Sequence, residues 1–259
     1  DSFEKVMERK RIRAFSWLIK KAFRDATIVQ VISNYLADWA KVMGAKIVSV
    51  IPNGVDLTKF EIRNSKSETP KERILPTGQA NSNFQTSKSK TGEIRKKYGI
   101  KENEKVVITT SRLVAKNGVD ILINAMKYLP EDVKLFIVGN GPLERELKLN
   151  AERLTLNARV IFGGFVEQKE IPSYLASADV FARLSRSEGQ GISFIEAMAA
   201  GLPVVTTAVG GITDFLYDKE TGLFAESENP EDAARKILIL LRDEAIRQTI
   251  IENAKRLVA

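Results

Sequence analysis

From residue 93 to the end, short apolar runs alternate with segments whose apolar positions recur every three or four residues. The runs read as strands near 105–110, 133–139, 158–162, 179–183 and 203–206, with a short one near 222–225. The periodic segments read as helices near 117–129, 142–153, 168–176, 192–200, 230–242 and 243–256. Apolar strands separated by helices predict an α/β fold, a parallel sheet covered by helices on both faces. Ligands of such sheets bind beyond the carboxyl ends of the strands. Asn229-Pro230-Glu231-Asp232 marks a helix start, with an N-cap, proline at N1 and acids in the first turn.

The first 92 residues are patterned differently. Residues 3–24 read as a basic amphipathic helix, with Phe15, Leu18, Ile19, Ala22 and Phe23 on one face. Packing of that face on the adjacent sheet is favoured over a membrane-surface role, because Asp1, Glu4, Glu8 and Asp25 dilute the basic side. Strand-like 27–32, a helix opened by Ser33 or Asn34, and strand-like 46–51 lead into Pro52-Asn53-Gly54, a turn signal. Residues 61–92 are rich in Ser, Thr, Asn, Lys and Glu, hold Pro70 and Pro76, and read as a mobile loop.

Composition removes several kinds of chemistry. The 259 residues contain no His and no Cys, so a His base, a His-ligated zinc, a Ser-His-Asp triad and a disulfide framework are all impossible here. The lack of Cys fits a reducing cytoplasm. No apolar run is long enough to span a bilayer, and the start shows no signal-peptide pattern. Of the net charge of +7, residues 1–60 supply +5, with 11 Lys and Arg against 6 Asp and Glu. Without a recognition motif and with only 7% aromatics, this charge does not indicate nucleic acid.

The densest chemistry lies in Glu188-Gly-Gln-Gly-Ile-Ser-Phe-Ile-Glu196, where seven residues separate two carboxylates. Gly189 and Gly191 let the backbone turn tightly and come close to a ligand. Ile192, Ile195 and Ala199 have helical spacing, and Gly201-Leu202-Pro203 ends that helix before strand-like Val204-Val205. Glu188 therefore sits in the loop above a helix N-terminus and Glu196 about a turn inside the helix. Free amides and the positive end of the helix dipole face the same crevice as both acids. Such a site suits a diphosphate with a hydroxyl-rich group at each end, which describes a nucleotide sugar.

The longer string through Glu196-Ala-Met-Ala-Ala-Gly-Leu-Pro-Val-Val, followed by Gly210-Gly211-Ile212 and Thr221-Gly222-Leu223, closely resembles the donor-binding half of the retaining glycosyltransferases of family 4 (group 1), which have the GT-B fold. The resemblance implies three parts. Residues 1–60 would be the end of an acceptor-side N-terminal domain with its crossover, 61–92 a polar insertion, and 93–259 a Rossmann-like nucleotide-sugar-binding domain. It also implies an N-terminal domain ahead of residue 1 and a returning helix after residue 259. The chain is accordingly expected to be a fragment that binds nucleotide weakly and transfers sugar poorly or not at all.

Site roles follow from the same resemblance. Glu196 would bond the ribose hydroxyls, and Glu188 would face the donor sugar. The amides of Gly189, Gln190, Gly191 and Ile192 would stabilise charge on the departing diphosphate without a metal. Arg112 and Lys116, after the first strand of the alternating region, would bind the phosphates. Here the chain departs from the family, which commonly places that lysine five residues after the arginine; Asn117 holds the position, and Lys116 stands one earlier. Gly139 and Gly141 resemble the family's Gly-x-Gly-Pro turn and either shape the turn or face the nucleotide. Backbone near Phe165 and Val166 would frame the base of a UDP-, GDP- or ADP-sugar. The partners implied are that donor and an acceptor that is a glycan, a lipid-linked group or a small molecule, in the cytoplasm or at the inner face of the membrane. No cofactor is expected.

A two-carboxylate glycosidase is set aside, because phosphate-binding surroundings have no use in hydrolysis of a simple glycoside. A noncatalytic nucleotide-sugar-binding module and a nucleotide-sugar epimerase on the same fold stay open.

Overall fold

The computed structural model describes residues 15–63 and 91–259. The start of the expected basic helix and most of the expected polar insertion lie outside the described residues.

The chain begins with helix α1 (Ser16–Asp25), strand β1 (Val29–Val31), helix α2 (Asn34–Val42) and strand β2 (Val48–Val50). β1 and β2 pair in parallel, Val29 opposite Val48. Ser33 caps α2 by accepting from the Leu36 amide at 3.2 Å, and the Asn34 amide donates to Asp214 Oδ2 at 2.6 Å. α1 meets α2 through the Phe23 ring, which stands edge-on to Trp39 at 5.3 Å. No residue of α1 is fully buried, and Phe15, Trp17 and Leu18 point outward. No helix among the described residues is long and apolar enough to cross a membrane.

A second sheet has six parallel strands: β3 (Lys105–Thr110), β4 (Val133–Val138), β5 (Val160–Gly164), β6 (Val180–Arg183), β7 (Val204–Thr207) and β8 (Leu223–Ala225). Their spatial order is β5-β4-β3-β6-β7-β8. Helices α3 (Val119–Ala125), α4 (Glu144–Arg153), α5 (Ile171–Ala176), α6 (Ile192–Ala199), α7 (Pro230–Arg242) and α8 (Glu244–Val258) complete the Rossmann-like α/β layer structure.

Alternate strand residues point to opposite faces, and the sheet builds two cores accordingly. Val107, Leu135, Ile137, Val180 and Val205 pack with α3, α4 and α7. Val106, Ile108, Phe136, Phe181 and Val204 pack with α5 and α6. Full burial on both faces explains why these strands are continuously apolar. Strand order reverses between β3 and β6, so the ligand crevice of this fold opens beyond their carboxyl ends.

Several ends differ from the sequence expectation. Residues 115–117 form a 3-10 turn, and Gly118 at φ +63° starts α3 at Val119 rather than 117. A short 3-10 turn, Gln168–Glu170, precedes α5. Residues 91–97 are helical, although 91–92 were expected in the polar segment. Ile94 and Ile100 anchor that stretch in the core beside α5 and α6.

Candidate functional site

The crevice between β3 and β6 is walled by the loops that follow them, 111–118 and 184–191. These loops are locked backbone to backbone. The Arg186 amide donates to the Lys116 carbonyl at 2.7 Å. A Cβ on Gly118 would stand 1.8 Å from the Leu184 carbonyl oxygen, so no larger residue fits.

Glu188 lies in this crevice with 8% of its surface exposed. Its Oε2 forms an ion pair with Arg183 Nη2. Its Oε1 accepts from the Gly189 amide at 3.1 Å and lies 3.8 Å from Lys116 Nζ. Gly191 (φ +85°) starts α6, and a Cβ there would collide with the Phe194 ring at 2.5 Å and meet Glu188 Cγ at 3.1 Å. That left-handed turn lets the carboxylate and the helix N-terminus share one corner.

Glu196, one turn into α6, is 5% exposed. Gln168 Nε2 donates to its Oε1 at 2.5 Å. Burial pushes the carboxyl above its ordinary value of 4.5, and the Gln168 hydrogen bond opposes the shift. Two carboxylates thus flank one helix end. One is held by cations, and the other is dry and neutrally bonded.

The remaining predicted residues are placed as follows. Arg112 is exposed on the β3 side, and Lys116 extends toward Glu188 with its side chain 40% exposed. Ile192 opens α6, 37% exposed. The Gln190 side chain is turned away to bond the backbone of Asn53, accepting from its amide at 2.9 Å and donating to its carbonyl at 3.2 Å. Gly139 and Gly141 serve close packing, since a Cβ would lie 2.0 Å from the Ser111 carbonyl oxygen and 2.4 Å from that of Leu113. Phe165 is exposed, while Val166 packs against the core on the α6 side.

Sequence reading missed Arg183, Ser193 and Gln168. Arg183 ends β6 yet is only 7% exposed. Nε donates to Ser185 Oγ at 3.2 Å, Nη1 to Ser193 Oγ at 2.7 Å, and Nη2 to Asn117 Oδ1 at 3.1 Å as well as to Glu188. Burial depresses this guanidinium below its ordinary range, and the Glu188 charge opposes that. Its signal in the sequence was a lone cation closing the apolar run Val180-Phe181-Ala182.

Donor groups at a helix N-terminus, two buried acids and cations on the facing loop make a site for an anionic, hydroxyl-bearing ligand at the switch point of a parallel sheet. The family model described as Glycosyl transferases group 1 matches residues 90–257, and the chain belongs to that family. Its fold is that of the GT-B glycosyltransferases.

Three similar proteins illustrate the range. The alpha-monoglucosyldiacylglycerol synthase of Streptococcus pneumoniae is 32% identical over 212 residues, covering 81% of this chain and 42% of its own. A GDP-mannose-dependent alpha-(1-6)-phosphatidylinositol monomannoside mannosyltransferase of Mycobacterium tuberculosis is 35% identical over 184 residues, covering 66% and 48%. The crystal structure of Anabaena HepE in complex with UDP-glucose superposes with a TM-score of 0.79 at 25% identity, covering 98% of this chain and 64% of that one. The chain spans about half the length of the curated relatives it matches.

Proposed function

We propose that this chain is the donor-binding part of a retaining glycosyltransferase that moves a hexose from a nucleoside diphosphate to an acceptor without a metal ion. The observation that carries the reading is the pair of buried carboxylates, Glu188 and Glu196, on either side of the α6 N-terminus.

In this reading Glu196 accepts hydrogen bonds from the ribose hydroxyls. Those donors favour its ionised form and offset the cost of burial. Glu188 faces the donor sugar, fixes its hydroxyls and stabilises positive charge growing at the anomeric carbon. The free amides at the start of α6, with Arg112 and Lys116, stabilise negative charge on the departing diphosphate. Backbone around Phe165 and Val166 borders the base. UDP-glucose bound to HepE and the GDP-mannose dependence of the mycobacterial relative support a nucleotide-sugar donor. The outward Phe15, Trp17 and Leu18 favour a peripheral membrane contact, and the absence of Cys favours the cytoplasm.

The test is calorimetric titration of UDP, GDP and ADP into this chain and into Glu196→Ala. One nucleotide is expected to bind, roughly tenfold or more weaker after the substitution. Equal binding by the variant would remove Glu196 from the ribose contact. For the full-length protein, product analysis with the matching nucleotide sugar is expected to show a transferred sugar whose anomeric configuration is kept; inversion would refute the retaining assignment.

A further inference from the structure

The Arg183 guanidinium has five N–H groups, and four of them meet Ser185, Ser193, Asn117 and Glu188. The fifth, on Nη1, is without a partner among the described residues. That atom stands beside Ser193 in the first turn of α6, where the helix leaves its own amides open. The guanidinium also lies over the Phe194 ring, 5.2 Å from its centroid, which with the four bonds fixes its orientation. A side chain so held is preorganised to bind.

Asn117 completes the arrangement. It is 3% exposed, donates to the Arg112 carbonyl at 2.6 Å and accepts from Arg183. Both ends of its amide are thus spent on positioning, and it carries no charge for a phosphate. Lys116 is a cation less firmly held: its side chain is 40% exposed, and its Nζ lies 3.8 Å from Glu188 Oε1.

We propose that Arg183, delivered from strand β6, is the fixed cation of the donor site. It pins Glu188 through Nη2 and gives its remaining Nη1 N–H to the β-phosphate of the nucleoside diphosphate. The β-phosphate is the one that carries the sugar, and the carboxylate bound to the same guanidinium is the one that faces that sugar. Asn117 and Arg183 together therefore do the work of a single lysine at position 117. The assignment rests on the donor-binding reading above.

The test compares a nucleoside diphosphate with its monophosphate. Whichever of UDP, GDP or ADP binds the parent chain is titrated beside the corresponding monophosphate. The titrations are repeated into Arg183→Lys, Arg183→Leu and the double variant Arg183→Leu/Asn117→Lys, each checked for cooperative unfolding. Diphosphate affinity is expected to fall roughly 10- to 100-fold in the single variants, the scale of one charge-assisted hydrogen bond, with monophosphate affinity within about threefold of the parent. The double variant is expected to recover at least about tenfold of the diphosphate loss, because it returns a cation to the same corner.

A folded Arg183→Lys that binds the diphosphate as the parent does would overturn the assignment. So would an equal loss for diphosphate and monophosphate, which marks a purely structural role. Arg183→Lys retains the charge, so it decides the matter even where Arg183→Leu fails to fold. A parent chain that binds none of the three nucleotides would remove the donor-binding reading itself and this proposal with it.

Discussion

Arg183 Nη2 and Glu188 Oε2 form an ion pair in which each side chain keeps less than a tenth of its exposure, at the carboxyl end of a central strand. Removing one member leaves the other charged and dry, so Glu188→Leu is expected to cost about 3–5 kcal/mol of folding stability. Arg183→Met with Glu188→Leu, which removes both charges, is expected to cost much less than the two single changes summed. Urea unfolding of the four proteins measures the coupling. Simple additivity would mean that the pair is solvated in solution.

Glu196 makes stability depend on pH in an unusual direction for an acid. Its folded pKa is raised by burial, so the stabilising state is the protonated one. That contribution is fully present below the ordinary value of 4.5 and is lost as pH rises through the folded pKa. Glu196→Gln is therefore expected to unfold at higher denaturant than the parent at pH 7.5, with the difference vanishing near pH 4. The absence of His leaves this window free of imidazole titration. A midpoint difference that stays constant between the two pH values would show that Glu196 is not desolvated.

Gly118 and Gly164 share a left-handed backbone, φ +63° and +69°, but differ in space. A Cβ on Gly118 meets the Leu184 carbonyl, whereas one on Gly164 meets nothing within 4 Å. Gly164→Ala is expected to cost about 1–2 kcal/mol, the backbone term alone. Gly118→Ala is expected to cost clearly more and to weaken nucleotide binding, because the crevice walls must part. Thermal unfolding compares them; equal losses would assign the whole effect to backbone conformation.

Gln190 closes two hydrogen bonds with the Asn53 backbone across 137 positions of sequence. Gln190→Ala is expected to cost about 1 kcal/mol, since Asn53 is exposed and water takes over its backbone groups. Amide exchange at Asn53 is expected to accelerate more than exchange within β3. Unchanged protection at Asn53 would mean that this link is not closed in solution.

Much of the six-stranded architecture was legible because its signals are local. Asn229-Pro230 did start a helix, with Asn229 Oδ1 accepting from the Asp232 amide at 3.0 Å. The glycines around Glu188 did place that acid above the α6 N-terminus. Arg183 was opaque for the opposite reason. Its meaning comes from Asn117, 66 positions away, and from Ser193, which a strand-by-strand reading cannot bring together. The expected role of Gln190 concerns its backbone amide; that its side chain turns to Asn53, 137 positions away, is what sequence does not show. The helical residues 91–97 were obscured by polar composition, although Ile94 and Tyr98 stand four apart.

Gly118 against Leu184 and the Lys116–Arg186 backbone bond weld the two crevice walls into one block. A clamp whose jaws are fused cannot open by spreading them. Anything held there must then enter and leave along the crevice, past its mouth. The rate of departure would be written in contacts made at that mouth and not in motion of the walls.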